Sequence, residues 1–153
     1  MTGGSGSGCI HEGMICWTRS VEISTRGRGF YPLDSTLSRA VSDSGIESGL
    51  LHAFIRHTSA SLLVTENADP DVLRDLEMYM GRLVQDGDPA FSHRAEGPDD
   101  MAAHVRSVLT RTELSLPIRR HRLQLGTWQG VFLWEHRFVA HQRRVELTLL
   151  GGT

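Results

Sequence analysis

Eight histidines stand in a chain of 153 residues, and their positions separate them better than their number does. His57 ends the apolar face of a predicted strand behind Leu51, Ala53 and Ile55. His93 lies in the loop ahead of a predicted helix, and His104 lies one turn into that helix, between Met101 and Val108. Three imidazoles on separate elements can converge on one ion and leave a position open for water or substrate, as a catalytic metal site requires. Spacing alone leaves a second reading open, in which these are satisfied core or interface histidines. His11, His52, His121, His136 and His141 fall in the amino-terminal tail, on the opposite strand face or near turns, where surface or structural roles suffice.

Carboxylates add weight in two places. Glu66-Asn67-Ala68-Asp69 follows the His57 strand and leads into a helix. Asp69 is explained as that helix's cap, whereas Glu66 and Asn67 have no obvious packing role; binding residues tend to sit in such loops, so Glu66 is a candidate general base or partner of metal or water. Asp75 reads as a solvated helix charge. Glu135 shares a strand face with Val131 and Leu133, so it needs a partner, and Arg143 or Arg137 is the natural one. In the functional alternative Glu135 binds metal or an amine and Arg143 forks onto a phosphate. Gly126-Thr127-Trp128-Gln129-Gly130 places a Trp and a Gln between two glycines that allow a close backbone approach.

Composition narrows the chemistry further. All 16 basic residues are Arg, so a lysine Schiff base, a lysine general base and a Walker-type phosphate lysine are excluded; phosphate must be met by Arg, backbone N–H or metal. A net charge of −2, with Arg interspersed among acids, argues against a dedicated nucleic-acid binder. No G-x-G-x-x-G opens a helix and no G-x-S-x-G elbow is present. Two cysteines, Cys9 and Cys16, suggest no disulfide framework, and no signal-peptide pattern or long apolar run points to a membrane; the expectation is a cytoplasmic protein. Residues 1–13 read as a disordered or tag-like tail, with Met14 an alternative start, and 14–153 as a single domain.

The elements that must position these residues follow from periodicity. A strand is predicted over 15–23, a short helix after Asp34 with Leu37, Ala40 and Val41 inside, and strands over 49–58 and 61–65. Asp69-Pro70 opens the clearest helix, with Val72, Leu76, Tyr79, Met80 and Leu83 as its stripe. Asp99 opens another, to about Thr110, with Met101, Val105 and Val108 inside. After Pro117, strands are predicted at 123–126, 131–137 and 143–150. Strands grouped at the end predict an α+β fold with a mixed, largely antiparallel sheet and about three helices.

His57-Thr58-Ser59-Ala60-Ser61, Glu66-Asn67-Ala68-Asp69-Pro70, His93 with Glu96-Gly97-Pro98-Asp99-Asp100-Met101 and Ala103-His104, and Leu125-Gly126-Thr127-Trp128-Gln129-Gly130 with Glu135-His136-Arg137 closely resemble the motifs of the YjbQ family, in family order over about residues 14–151. Ala102 stands where relatives often have Pro and Asp100 where some have Asn, so Asp100 is kept out of the catalytic set. The resemblance implies a compact α+β subunit whose sheet folds into a sandwich, assembled as a homotrimer. It also implies a secondary thiamine-phosphate synthase activity, which joins a pyrimidine methyl diphosphate to a thiazole phosphate and releases diphosphate. Residue by residue it places His57, His93 and His104 on a divalent metal, zinc first and magnesium second for a diphosphate substrate. Glu66, Asn67, Glu135 and Arg143 become catalytic, and Asp69, Trp128 and Gln129 bind the phosphorylated substrate. The rival readings are a metal-dependent hydrolase of a phosphorylated small molecule and a non-enzymatic trimeric ligand-binding protein.

Overall fold

Alternating burial along the strands decides the architecture. The computed structural model describes residues 7–11 and 13–153. The strands are β1 (Ser7–His11), β2 (Met14–Ser24), β3 (Gly29–Pro32), β4 (Ser48–Ile55), β5 (Ala60–Glu66), β6 (Glu113–Arg119), β7 (Arg122–Leu123), β8 (Gln129–Glu135) and β9 (Gln142–Gly152). They form a six-stranded sheet in the order β1-β2-β9-β4-β6-β7 and a three-stranded sheet in the order β3-β8-β5. Every pairing in both is antiparallel. Leu51, Ala53 and Ile55 of β4, Leu114, Leu116 and Ile118 of β6, and Val145, Leu147 and Leu149 of β9 meet Ala60 and Leu62 of β5 and Val131 and Leu133 of β8 in one core. Apolar side chains every second residue on both inner faces make this a sandwich.

Helix α1 (Asp34–Ser44) adds Leu37, Ala40 and Val41 to that core. Helices α2 (Pro70–Leu83) and α3 (Asp100–Leu109) cover the outer face of the small sheet, where Met80, Val84 and Ala102 pack with Trp134. β8 is therefore buried on both faces: Val131, Leu133 and Glu135 point between the sheets, Phe132, Trp134 and His136 towards the helices. Glu77 of α2 ties this layer together, accepting from Trp134 Nε1 at 2.6 Å and from Arg106 Nη1 at 3.0 Å. The α+β sandwich with three helices matches the fold expected from the sequence.

Several local expectations needed correction. Asp34 does not cap α1; it is the first helical residue and its carboxylate accepts from Val131 N instead. Val108 is 84% exposed, because α3 presents the small side chains Ala102, Ala103 and Ser107, together with Arg106, to the protein, and these allow close approach to β5. Tyr79 and Leu83 of α2 are likewise exposed. Asp69 does cap α2, accepting from Asp71 N at 2.9 Å. Strands are expected to resume only after Pro117, yet Pro117 lies inside β6 on its exposed side, where β6 is flanked by β4 and only the short β7. Of the segment set aside as a tail, residues 7–11 pair with β2 as an edge strand, and residues 1–6 and 12 lie outside the described residues. No helix among the described residues is long and apolar enough to cross a membrane.

Candidate functional site

The start of α3 and the turn after β8 build the most concentrated polar cluster at the protein's edge. Arg137 grips two successive aspartates, with Nε donating to Asp99 Oδ2 at 2.9 Å and Nη1 to Asp100 Oδ1 at 2.5 Å. Phe138 N also donates to Asp99 Oδ2, at 2.8 Å. With Oδ1 held by Arg137, Asp100 turns Oδ2 towards two imidazoles, His93 Nε2 at 2.8 Å and His104 Nε2 at 3.1 Å. The three donor atoms lie within 4.8 Å of one another. Asp100 and His104 reach the same point because they stand four residues apart on one helix face.

Hydrogen bonding defines the state of this cluster. His104 Nδ1 lies 2.9 Å from Thr58 O, and a carbonyl only accepts, so Nδ1 carries a proton. In the neutral ring, Nε2 then bears a lone pair that faces a carboxylate oxygen. Two lone pairs at that distance need a cation between them, either a proton on His104 or a metal ion. Burial works to raise the Asp100 pKa; the hydrogen bond with His93 and the charges of His104 and Arg137 outweigh it and hold the carboxyl below its ordinary range. Asp100 is 2% exposed while His93 keeps 43% of its side chain exposed, so the cluster opens on the His93 side. There His93 also lines a cavity of about 260 Å³ with Phe91, Pro98 and Met101.

Of the histidines expected on a metal, His93 and His104 converge and His57 does not join them. His57 lies just past β4, and its Nε2 accepts from Arg144 N at 2.7 Å, prolonging the β4–β9 pairing by one side-chain contact. Burial, then the Arg143 charge, lowers its pKa. Asp100, kept out of the set on sequence grounds, is the third member. The signal for it was the spacing Asp100 to His104, masked because His104 was measured against the apolar stripe of Met101 and Val108.

Glu135 and Arg143 pair with each other. Arg143 Nε donates to Glu135 Oε2 at 2.7 Å, Nη2 reaches Oε1, and Nη2 also donates to Ser59 Oγ at 2.9 Å. Thr25 Oγ1 and Arg137 N complete the carboxylate's partners. Burial opposes ionisation of Glu135, but the Arg143 hydrogen bond, the Arg137 N–H and the Arg143 charge keep its pKa below the ordinary value. The fork expected to hold a phosphate is thus taken by Glu135, and the pairing reading of these two residues describes them.

Glu66, Asn67, Asp69, Trp128 and Gln129 form a second group at the far end of the same two strands. Ala60 pairs with Glu135 near the cluster, and Glu66 pairs with Gln129 six residues further along, which is about 20 Å at strand spacing. Here Asn67 N donates to Trp128 O at 2.9 Å, and Gly126 N donates to Gln129 Oε1 at 2.8 Å, so the turn is clamped while Trp128 stays 64% exposed. A Cβ on Gly130 would lie 2.8 Å from Asn67 Cβ, which explains that glycine. Within this chain these residues do not reach the His93–Asp100–His104 cluster.

Residues 19–152 match the profile of the family described as UPF0047 protein YjbQ-like. The chain is 50% identical over 129 residues to UPF0047 protein sll1880 of Synechocystis, covering 84% of this chain and 88% of that protein. It is 40% identical over 136 residues to YjbQ of Escherichia coli O157:H7, covering 88% and 98%. Among solved structures, the conserved hypothetical protein TT1486 of Thermus thermophilus superposes with a TM-score of 0.76 at 35% identity, covering 85% of this chain and 98% of that one. A YbjQ-like protein of unknown function from Sulfolobus solfataricus has the same fold, with a TM-score of 0.81 at 21% identity, covering 90% and 99%. The chain belongs to the UPF0047 YjbQ-like family.

Proposed function

We propose that this protein is a metal-dependent enzyme acting on a phosphorylated small molecule at the start of α3. The observation that carries the reading is the convergence of His93 Nε2, His104 Nε2 and Asp100 Oδ2, with the outer atoms of two of these groups already held by Thr58 O and Arg137. Partners of that kind fix the tautomer and orientation of metal ligands. Two imidazoles and a carboxylate suit zinc with a position left open, and disfavour magnesium, which prefers oxygen donors.

When bound, such an ion supplies Lewis-acid charge to a phosphate oxygen or acidifies a water. The chain's own residues do the rest. Arg137 keeps Asp100 ionised and its Oδ2 aimed outward, and the Thr58 carbonyl keeps the His104 lone pair on Nε2. The apolar walls of Phe91, Pro98 and Met101 offer the body of a substrate a water-poor seat beside His93. Arg143 and Glu135 support this end of the sandwich through Ser59, next to Thr58, and touch no substrate in this reading.

The reaction proposed first is the joining of a pyrimidine methyl diphosphate to a thiazole phosphate, and the second is hydrolysis of a phosphorylated small molecule. Zinc-loaded protein incubated with both precursors yields a coupled product in the first case. Phosphate or diphosphate released from one precursor alone selects the second. Zinc bound with neither product selects a ligand-binding protein. We propose a homotrimer as its assembly, supported by exposed apolar Tyr79, Leu83, Val108 and Leu109 and tested by sedimentation equilibrium.

A further inference from the structure

A second cavity, of about 360 Å³, lies between α1 and the β6–β7 hairpin, and belongs to neither group of residues described above. Its helix wall is Asp34, Ser38 and Val41, spaced four and three residues apart and so on one face of α1. Its hairpin wall is His121 and Arg122, and Leu123 and Leu125 supply apolar surface.

The hairpin is held in a conformation its sequence does not favour. Arg119 pairs with Arg122, which leaves Arg120 and His121 as a two-residue turn, and both have positive φ, 53° and 58°. Such turns usually carry Asn-Gly, and a residue with a Cβ costs about 1–2 kcal/mol in this region. The surroundings hold it there. His121 N donates to Glu47 O at 3.0 Å and its Nδ1 to Ile46 O at 3.1 Å. Gln124 Nε2 donates to the carbonyls of Arg119 and Arg122, both at 3.1 Å. A strained turn kept by these four hydrogen bonds suggests that His121, which it carries, has a task.

The turn brings His121 to the cavity beside Arg122, and the polar groups that line the cavity are largely unpaired. Among the described residues the Arg122 guanidinium and the Ser38 hydroxyl have no hydrogen-bond or ion-pair partner, and the Asp34 carboxylate meets only Val131 N, 3.3 Å from each oxygen. Because His121 donates through Nδ1, its neutral ring offers the cavity an acceptor at Nε2. One fixed cation, two acceptors and an aliphatic surface therefore line a volume at the small end of ligand pockets, roughly 300–1,000 Å³.

We infer that this cavity binds a small zwitterion of the α-amino-acid class with an aliphatic side chain. Arg122 takes the carboxylate, Asp34 and His121 Nε2 take the ammonium, and Val41, Leu123 and Leu125 take the side chain. The inference is independent of the metal reading.

The test is calorimetric titration of the full chain with L-leucine, 4-methylpentanoate and leucinamide. Leucine binds saturably; 4-methylpentanoate, which lacks the ammonium, and leucinamide, which lacks the carboxylate, bind at least about tenfold more weakly. Arg122→Gln, on an exposed hairpin where the fold does not depend on it, and Asp34→Asn each weaken leucine by a similar factor. Absence of saturable leucine binding at millimolar concentration overturns the inference. Equal affinity for leucine and 4-methylpentanoate, or leucine affinity unchanged by Arg122→Gln, does so too.

Discussion

Arg143 and Glu135 join the two sheets at one end of the sandwich, β9 supplying the guanidinium and β8 the carboxylate, with Nε and Nη2 on opposite oxygens of the acid. Both side chains are almost fully buried, at 4% and 0% exposure. The same Arg143 Nη2 holds Ser59, whose neighbour Thr58 orients His104. The pair thus links the inter-sheet contact to the polar cluster through two consecutive residues, Thr58 and Ser59.

Removing one partner should therefore be far more damaging than removing both. Glu135→Ala leaves a buried arginine without its counter-charge, and we expect a loss of about 3–5 kcal/mol in urea unfolding. The double variant Glu135→Leu with Arg143→Met removes both charges and should recover most of that loss. Equal stability of the single and double variants would show that packing, not charge pairing, sets the cost.

Metal affinity should divide the histidines as the geometry does. Zinc titration of the wild-type chain is expected to reach one ion per chain, and Asp100→Ala or His104→Ala to weaken it at least about a hundredfold, the loss of one of three ligands. His57→Ala should stay within about twofold, since its Nε2 is spent on Arg144 N and it stands outside the group of His93, Asp100 and His104. Loss of zinc in His57→Ala with retention in Asp100→Ala would reverse the assignment.

The strand alternation of β4, β8 and β9 and the Asp69-Pro70 helix start were legible in the sequence, because each is a local pattern that tertiary packing reinforces. Glu135 was legible for a related reason: a carboxylate in an apolar row demands a partner, and few were within reach. His57 misled because an apolar strand face says where a side chain points but not which atom it meets beyond the strand's end. Asp100 was set aside because some members of the resembled family carry Asn there, and its place beside the two histidines depends on Arg137, which arrives from the turn after β8, far along the chain. The separation of Glu66 from the His93–Asp100–His104 cluster depends on strand length, which motif order does not reveal.

Gly130 should be intolerant of a methyl group. An added Cβ lies 2.8 Å from Asn67 Cβ and 3.0 Å from Phe132 Cε2, so Gly130→Ala must push Asn67 away from the Trp128 turn. Overpacking of this kind costs about 1–3 kcal/mol, read in thermal or urea unfolding. Adding Asn67→Gly removes the opposing Cβ and should restore part of the loss, a coupling that independent sites would not show.

Acid should weaken the fold through His136. His136 is fully buried, with Nε2 2.9 Å from Ser61 Oγ, and its pKa is pushed down to about 3 by burial and then by the charges of Arg106, Arg28 and Arg143. Between its ordinary value near 6.5 and about 3, the unfolded chain binds a proton at this residue and the folded chain does not, so stability falls as pH falls. The slope approaches about 1.4 kcal/mol per pH unit, or about 2 kcal/mol between pH 7 and pH 5, and flattens below the folded value. Glu135, Asp99 and Asp100, whose pKa values are lowered by the hydrogen bonds and charges of Arg143, the Phe138 N–H with Arg137, and His93 with His104 and Arg137 respectively, against the opposing effect of burial, add losses of the same sign at lower pH, as each is protonated. His136→Gln should be less stable than wild type at pH 7, because it disturbs a packed site, yet lose less stability on going to pH 5. Urea unfolding of both proteins at the two pH values measures the difference directly. Parallel losses in the two proteins would mean that His136 takes up its proton as readily in the fold as in the unfolded chain, so that burial and the surrounding arginines do not exclude it.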